Sequence, residues 1–295
     1  MTVAVCMVVP EGVVLGADST VSITPGHGEF HYFNNNQKLF EIGEGSALGL
    51  LTWGLASFHD LSYRTLIARL ADDLQTNPQK SVKEVSERWV KLAYEAYTRI
   101  FENEIEEYRV LERLDAFGMT KPNSKNTART EEQEKRLHDL STTYVAGFCI
   151  AGHCLHDRVT SAFKLEFDLG LRTPPAPVQV PSLEYWGVGS TFIARLLNGF
   201  DPRLKKGISE NWSDTQELLD ITLFQTKLSY PLSVPIRDAI DFVNFCIHTT
   251  IKAFKFSNHN QFCGGPIELA VISSDRKFRW VRHKSLDAAI IETEY

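Results

Sequence analysis

Thr2 stands directly behind the initiator methionine. It is small, so Met1 is expected to be removable, and removal leaves one residue with both a hydroxyl and a free α-amine. Such an amine titrates at about 7.7–8.0 when unperturbed, well below a lysine, and can take up a proton at neutral pH. A hydroxyl and a base on one residue form a self-contained nucleophile for acyl transfer, the N-terminal counterpart of the serine–histidine arrangement. Many chains begin Met-Thr, so this feature specifies little unless other groups converge on it. Two charged residues are placed to do so. Asp18 ends the apolar run Val13-Val14-Leu15-Gly16-Ala17, and Lys38 opens another run after a polar loop. A buried carboxylate and a buried lysine each need a partner. Meeting beside Thr2, the lysine's charge would lower the pKa of the amine and hydroxyl, and the carboxylate would hold the lysine in place. Taken singly, each also reads as a structural charge at a strand end.

The elements that must position these residues are legible in the apolar pattern. Residues 3–9 and 13–17 are two apolar runs joined by Pro10-Glu11-Gly12, a hairpin of buried strands. Residues 24–36 are rich in Gly and Asn and read as a polar loop, followed by short strands at 38–42 and 47–53. The period then becomes helical. Leu66, Ile67, Leu70 and Leu74 lead to a stop at Asn77-Pro78, and Ser81 with Glu84 marks a new helix start. That second helix carries Val82, Val85, Trp89, Leu92, Ala96, Ile100 and Ile105, and its stripe predicts continuation to Leu114. The highly charged segment 121–139 reads as a solvated loop or helix tip. Strands are expected at 144–150, 159–167 and 183–188, with helices at 192–197, 215–226 and 235–254 and closing strands at 267–272 and 278–281. Blocks of strands and helices in this order predict an α+β fold of two packed sheets with helices on both outer faces.

Composition narrows the function classes. The 295 residues carry a formal charge of −6, are 43% hydrophobic and 23% charged, and suit a globular fold with a substantial core. The acidic balance argues against nucleic acid as a partner, which calls for a basic face. A membrane is not expected as a partner, because no run approaches the roughly 20 apolar residues of a bilayer span. The N-terminal residues lack the basic flank and small-residue cleavage pattern of a secretory signal. Cys6, Cys149, Cys154, Cys246 and Cys263 are odd in number and lie mostly in apolar runs, so they read as buried free thiols in a reducing, cytoplasmic compartment. Cys149 and Cys154 with His153 and His156 match no zinc spacing and fall where a strand meets a turn, so no metal is expected. Trp186, Trp212 and Trp280 read as core or interface, and no phosphate-binding or dinucleotide motif is present, so no cofactor is expected.

The blocks Thr2-Val3-Ala4-Val5, Gly12 to Ser19, Gln37-Lys38-Leu39-Phe40-Glu41-Ile42 and Thr52-Trp53-Gly54-Leu55-Ala56 together resemble a proteasome β-type subunit, a bacterial proteasome-like peptidase of the N-terminal nucleophile (Ntn) hydrolases. Asp18 follows Thr2 by sixteen positions, the spacing of that family's catalytic pair. The resemblance continues at Val145-Ala146-Gly147-Phe148, Gly187-Val188-Gly189-Ser190 and Gly264-Gly265-Pro266-Ile267, with extra length at 24–36 and 103–140. It implies a single domain over residues 1–295 with a helical, charged insertion at about 103–140, folded as a four-layer α-β-β-α sandwich. It implies Thr2 as nucleophile with its own amine as base, Asp18 and Lys38 as supporting pair, the Gly54 N–H as oxyanion donor, and Ser22 on a segment that pairs with an extended peptide. It further implies an unfolded polypeptide substrate and a homo-oligomeric ring, with helices 60–114 and 235–255 as intersubunit surfaces and an ATP-dependent unfoldase as feeding partner.

The pattern departs from the family at two places. Val188 stands where active members carry a serine, leaving Ser190 as the nearby hydroxyl, and Asn260 with Cys263-Gly264-Gly265 stands in place of an Asp followed by Ser-Gly-Gly. These accessory positions, Ser190 and Asn260, keep two alternatives open: a catalytically inactive ring subunit of the same fold, and an amidase acting on a small molecule. While Met1 is attached, Thr2 has no free amine.

Overall fold

The computed structural model describes residues 2–23, 31–118, 127–155, 158–211, 222, 225, 227–228, 233–258 and 260–284. Met1, the 24–30 part of the polar loop, residues 121–126 of the charged segment, His156, Trp212, and the helix expected over 215–226 apart from Thr222 and Gln225, lie outside them.

Strands β1 (Val3–Val9) and β2 (Gly12–Ala17) form the expected hairpin. They lie at the centre of an antiparallel sheet ordered β10–β1–β2–β11–β12, completed by β10 (Leu183–Gly187), β11 (Glu268–Ser273) and β12 (Arg279–Arg282). A second antiparallel sheet runs β5 (Leu39–Glu41), β6 (Leu48–Gly54), β7 (Ala146–Gly152), β8 (Ser161–Phe167) and β9 (Val178–Gln179). The period of two explains why β1 is apolar without interruption: its alternate residues bury into different layers. Ala4 and Cys6 face the second sheet, packing with Leu15, Leu39, Leu51 and Cys149, where Trp53 stacks on Trp186 at 4.3 Å between ring centroids. Val3, Val5 and Met7 face helices α5 (Gly189–Asn198) and α7 (Ile236–Lys255). On the far side, α1 (Tyr63–Thr76) and α2 (Val82–Ile100) bury Leu66, Trp89 and Tyr97 against Phe148 and Phe167 of the second sheet. Helices, sheet, sheet and helices make four layers around three apolar cores, so the α-β-β-α sandwich is as expected.

Four features differ from the sequence reading. The second helix does not run unbroken to Leu114. Its path is interrupted at Phe101 (φ −103°, ψ 27°), and α3 (Glu102–Arg113) starts afresh. At the break the Phe101 ring buries against Phe58, Tyr97 and Tyr144, an event that an apolar spacing common to both helices cannot signal. Within the polar segment after Ile23, a short strand β4 (His31–Phe33) pairs with β3 (Val21–Ile23). All three β4 residues are exposed, so no alternation marks them. The charged segment contains a full helix, α4 (Glu131–Thr143), started by a capping box between Thr130 and Gln133 and joined to α3 by the Arg136–Glu107 ion pair at 2.7 Å. The helix α6 (Pro202–Asn211) also escaped the sequence reading. No helix among the described residues is long and apolar enough to cross a membrane.

Candidate active site

Thr2 immediately precedes β1 and is 4% exposed. Its carbonyl accepts the Val188 N–H at 2.8 Å, and the chain passes so close at Gly187 that a Cβ there would lie 1.9 Å from the Thr2 oxygen. Gly187 also has φ +71°, a left-handed conformation that side chains resist. Gly187→Ala is therefore expected to lower stability by about 1–3 kcal/mol and displace Thr2. A reduced urea midpoint in a chemical melt checks this.

Asp18 follows β2 and is fully buried. Its Oδ1 accepts the Val3 N–H at 2.9 Å and the Lys38 Nζ at 2.6 Å, while Oδ2 accepts the N–H groups of Gly264 at 3.0 Å and Thr20 at 3.3 Å. The Lys38 ammonium, itself 3% exposed, also donates to the Thr20 carbonyl at 2.6 Å. A buried ion pair persists only where its remaining lone pairs and protons are also matched, and here both partners make further hydrogen bonds. The carboxylate thus ties together the start of β1, the end of β2, the approach to β5 and the loop before β11. Sequence reasoning singled out Thr2, Asp18 and Lys38. It did not find the Thr20 carbonyl, whose contribution is main-chain and leaves no side-chain signature, and it noted Gly264 only as part of a glycine motif.

Gly54 lies at the end of β6 on the same side of the sandwich. The Trp53–Trp186 stack brings its neighbour beside that of Gly187, and Thr52 N–H bonds the Lys38 carbonyl at 2.8 Å. Gly54 has φ +81°, and a Cβ there would meet the Val145 oxygen at 2.1 Å. Ser22 lies on β3 opposite Tyr32 of β4, so one edge of β3 is already occupied. Its hydroxyl oxygen is shielded from solvent and has no hydrogen-bond partner among the described residues. Ser190 does not bond Thr2: its exposed hydroxyl donates to the Gly187 carbonyl at 2.7 Å, within the turn that holds Thr2. Asn260 is exposed, and it is Gly264 of that segment that reaches Asp18.

Cys263 is a buried thiol close enough to Asp18 and Lys38 to sense their charges. Burial, with the nearby Asp18 charge adding to it, pushes its thiol up to about 12, and burial does the same to Cys246. Their thiolate fraction at neutral pH is therefore negligible. Iodoacetamide at pH 7.5 is expected to leave Cys263 and Cys246 unmodified in the native protein and to label both after denaturation, as read by peptide mass. Cys6, Cys149, Cys246 and Cys263 are buried free thiols, whereas Cys154 is half-buried. Cys149 faces the inter-sheet core, and the His153 ring instead meets the Ser273 carbonyl at 3.2 Å.

The architecture compares with solved structures along nearly the whole chain. The Anbu complex from Pseudomonas aeruginosa, solved as a helical assembly, matches at 14% identity over 99% of this chain and 90% of its own, with a TM-score of 0.52. The likeness is one of fold, the four-layer α-β-β-α sandwich described above. An Anbu mutant (Gly-1) from Hyphomicrobium sp. strain MC1 matches at 11% identity over 99% of this chain and 91% of its own, with a TM-score of 0.49. No family model and no curated protein matches the sequence. The resemblance to proteasome β-type subunits is overturned: the sandwich here is matched by the Pseudomonas aeruginosa Anbu complex, and no proteasome family model matches. The reason is physical. The motif blocks at 2–19, 37–42 and 52–56 lie in the strands and turns that build this end of the sandwich, so they mark the fold and not a family within it.

Proposed function

We propose that the chain is a threonine-type hydrolase that cleaves peptide amide bonds through Thr2 once Met1 is removed. The observation that carries this reading is the Asp18 carboxylate, held by Lys38 Nζ and by the N–H of Val3, the residue next to Thr2. In this reading the Thr2 hydroxyl attacks the amide carbon and passes its proton to the Thr2 amine, directly or through a water. The oxyanion that forms is stabilised by the Gly54 N–H. The amine then returns the proton to the departing nitrogen, leaving an acyl ester on Thr2. Water, deprotonated by the same amine, hydrolyses that ester and restores the hydroxyl. Lys38 supplies positive charge that keeps the amine unprotonated and favours the alkoxide, and Asp18 fixes Lys38. The edge of β3 away from β4, unpaired among the described residues, offers main-chain pairing at Ser22 to an extended substrate, which suits an unfolded polypeptide. Ser190 supports the site indirectly, by bracing the Gly187 turn under Thr2. Asn260 serves at most as an accessory at the rim. The test is hydrolysis of an unfolded polypeptide by protein lacking Met1, with protein retaining Met1 as the comparison. Cleavage only by the former supports the reading; no cleavage by either contradicts it.

We further read residues 1–295 as one domain in which 103–140 is an insertion, built as the paired helices α3 and α4. Self-assembly through the helices of 60–114 and 235–255 is also part of the proposal, motivated by the assembled state of the Pseudomonas aeruginosa Anbu complex. Light scattering is expected to give a multiple of 33.4 kDa, and a monomer at working concentration would remove this claim.

A further inference from the structure

The apolar layer between the two sheets ends, near Asp18, in a second buried set of charges. Glu268 opens β11 directly opposite Ala17 of β2 and is fully buried. Among the described residues its carboxylate makes no conventional hydrogen bond, but its Oε2 lies 3.4 Å from Lys284 Nζ and its Oε1 lies 2.8 Å from His283 Nδ1. The His283 ring is in turn stacked on Trp280 at 4.0 Å. Lys284 has a second task. Its ammonium donates to the Asn36 carbonyl at 2.9 Å and to the Ser19 hydroxyl at 3.3 Å. Ser19 directly follows Asp18, and Asn36 lies two residues before Lys38. The Asn36 N–H also bonds the Ser19 carbonyl at 2.9 Å, and the Ser19 N–H bonds the Gly264 carbonyl at 3.0 Å. Lys284 therefore closes a cross-link between the two segments that carry the Asp18–Lys38 pair.

We propose that Lys284, anchored by Glu268, is a positioning residue that locks the Ser19 and Asn36 segments together and thereby fixes Lys38 on Asp18. The inference rests on the Thr2 reading for its catalytic meaning, but the locking itself does not depend on turnover. A buried carboxylate that loses its lysine partner is strongly destabilising, so a single Lys284 deletion would confuse positioning with unfolding. Glu268 and Lys284 are accordingly neutralised together. In Glu268→Gln/Lys284→Met no buried charge of the pair remains, yet the Asn36 carbonyl and Ser19 hydroxyl have lost their donor. Lys284→Arg keeps the donor and the charge.

The test compares parent, double variant and Lys284→Arg by amide hydrogen exchange and by peptide hydrolysis. The amides of Val3 and Gly264, both bonded to Asp18, report on the pair directly. In the double variant their exchange is expected to speed up about tenfold while α2 and α7 are unchanged. Its kcat is expected to fall about tenfold with KM within about twofold, and Lys284→Arg to recover most of the loss. Unchanged exchange at Val3 and Gly264 overturns the inference, whatever happens to kcat. Faster exchange in a protein whose parent cleaves nothing supports the lock and counts against the Thr2 reading alone.

Discussion

Thr2→Ala is expected to abolish amide hydrolysis, lowering kcat by at least about 10³-fold while leaving the melting temperature within a few degrees of the parent. The Thr2 contacts that hold the fold are main-chain: its carbonyl accepts the Val188 N–H, and the adjacent Val3 N–H binds Asp18. Alanine keeps both and removes the hydroxyl together with one methyl group. Thr2→Ser keeps the hydroxyl and is expected to retain measurable turnover, which separates loss of the nucleophile from disturbance of the strand. Progress curves with a fluorogenic peptide and an unfolded protein substrate check both variants. Parent-like hydrolysis by Thr2→Ala would assign the activity to another residue. Cys263 is an alternative nucleophile near Asp18, but its raised pKa makes it a poor one at neutral pH.

Lys38→Met has a different expected signature, because it costs stability as well as rate. Asp18 is fully buried, and without the ammonium its carboxylate keeps only main-chain donors. Removing one partner of such a pair costs about 3–5 kcal/mol. The rate is expected to fall by about 10²-fold or more as the positive charge beside the nucleophile disappears. Pairing the change with Asp18→Asn removes the orphaned charge and should recover a large part of the stability without recovering the rate. A urea titration and a kinetic assay on the two single variants and the double variant test this, and the cycle isolates the coupling between the residues. A double variant as active as the parent would reduce the pair to a structural role.

Much of this arrangement is legible in the residues. Asp18 and Lys38 meet, and Asp18 binds the N–H of Val3, the residue after Thr2, because apolar strands fix the register and leave charges where the chain leaves the sheet. The four-layer sandwich follows from uninterrupted apolar strands flanked by amphipathic helices. What the sequence hid falls into two physical classes. Main-chain donors and acceptors, such as the Gly264 N–H and Thr20 carbonyl around Asp18, have no residue-type signature. Long-range pairings do not appear in local periodicity either: Glu268 meets Lys284 only after β12 returns beside β11, and the break at Phe101 exists because an aromatic cluster receives its ring. The family resemblance failed for a related reason. Short motifs at strand ends record the geometry of the sandwich, and chains of several kinds can satisfy that geometry.

The central claim is that Thr2 becomes a free-amine nucleophile. Its most direct test is the intact mass of the protein purified from its own host, with and without an electrophile that requires a hydroxyl and a free α-amine on one residue. The account predicts a chain lacking Met1 that takes up one adduct, with no adduct on Thr2→Ala. A chain that keeps Met1 and takes up none would contradict it, and would mean that the sandwich is used here without that chemistry.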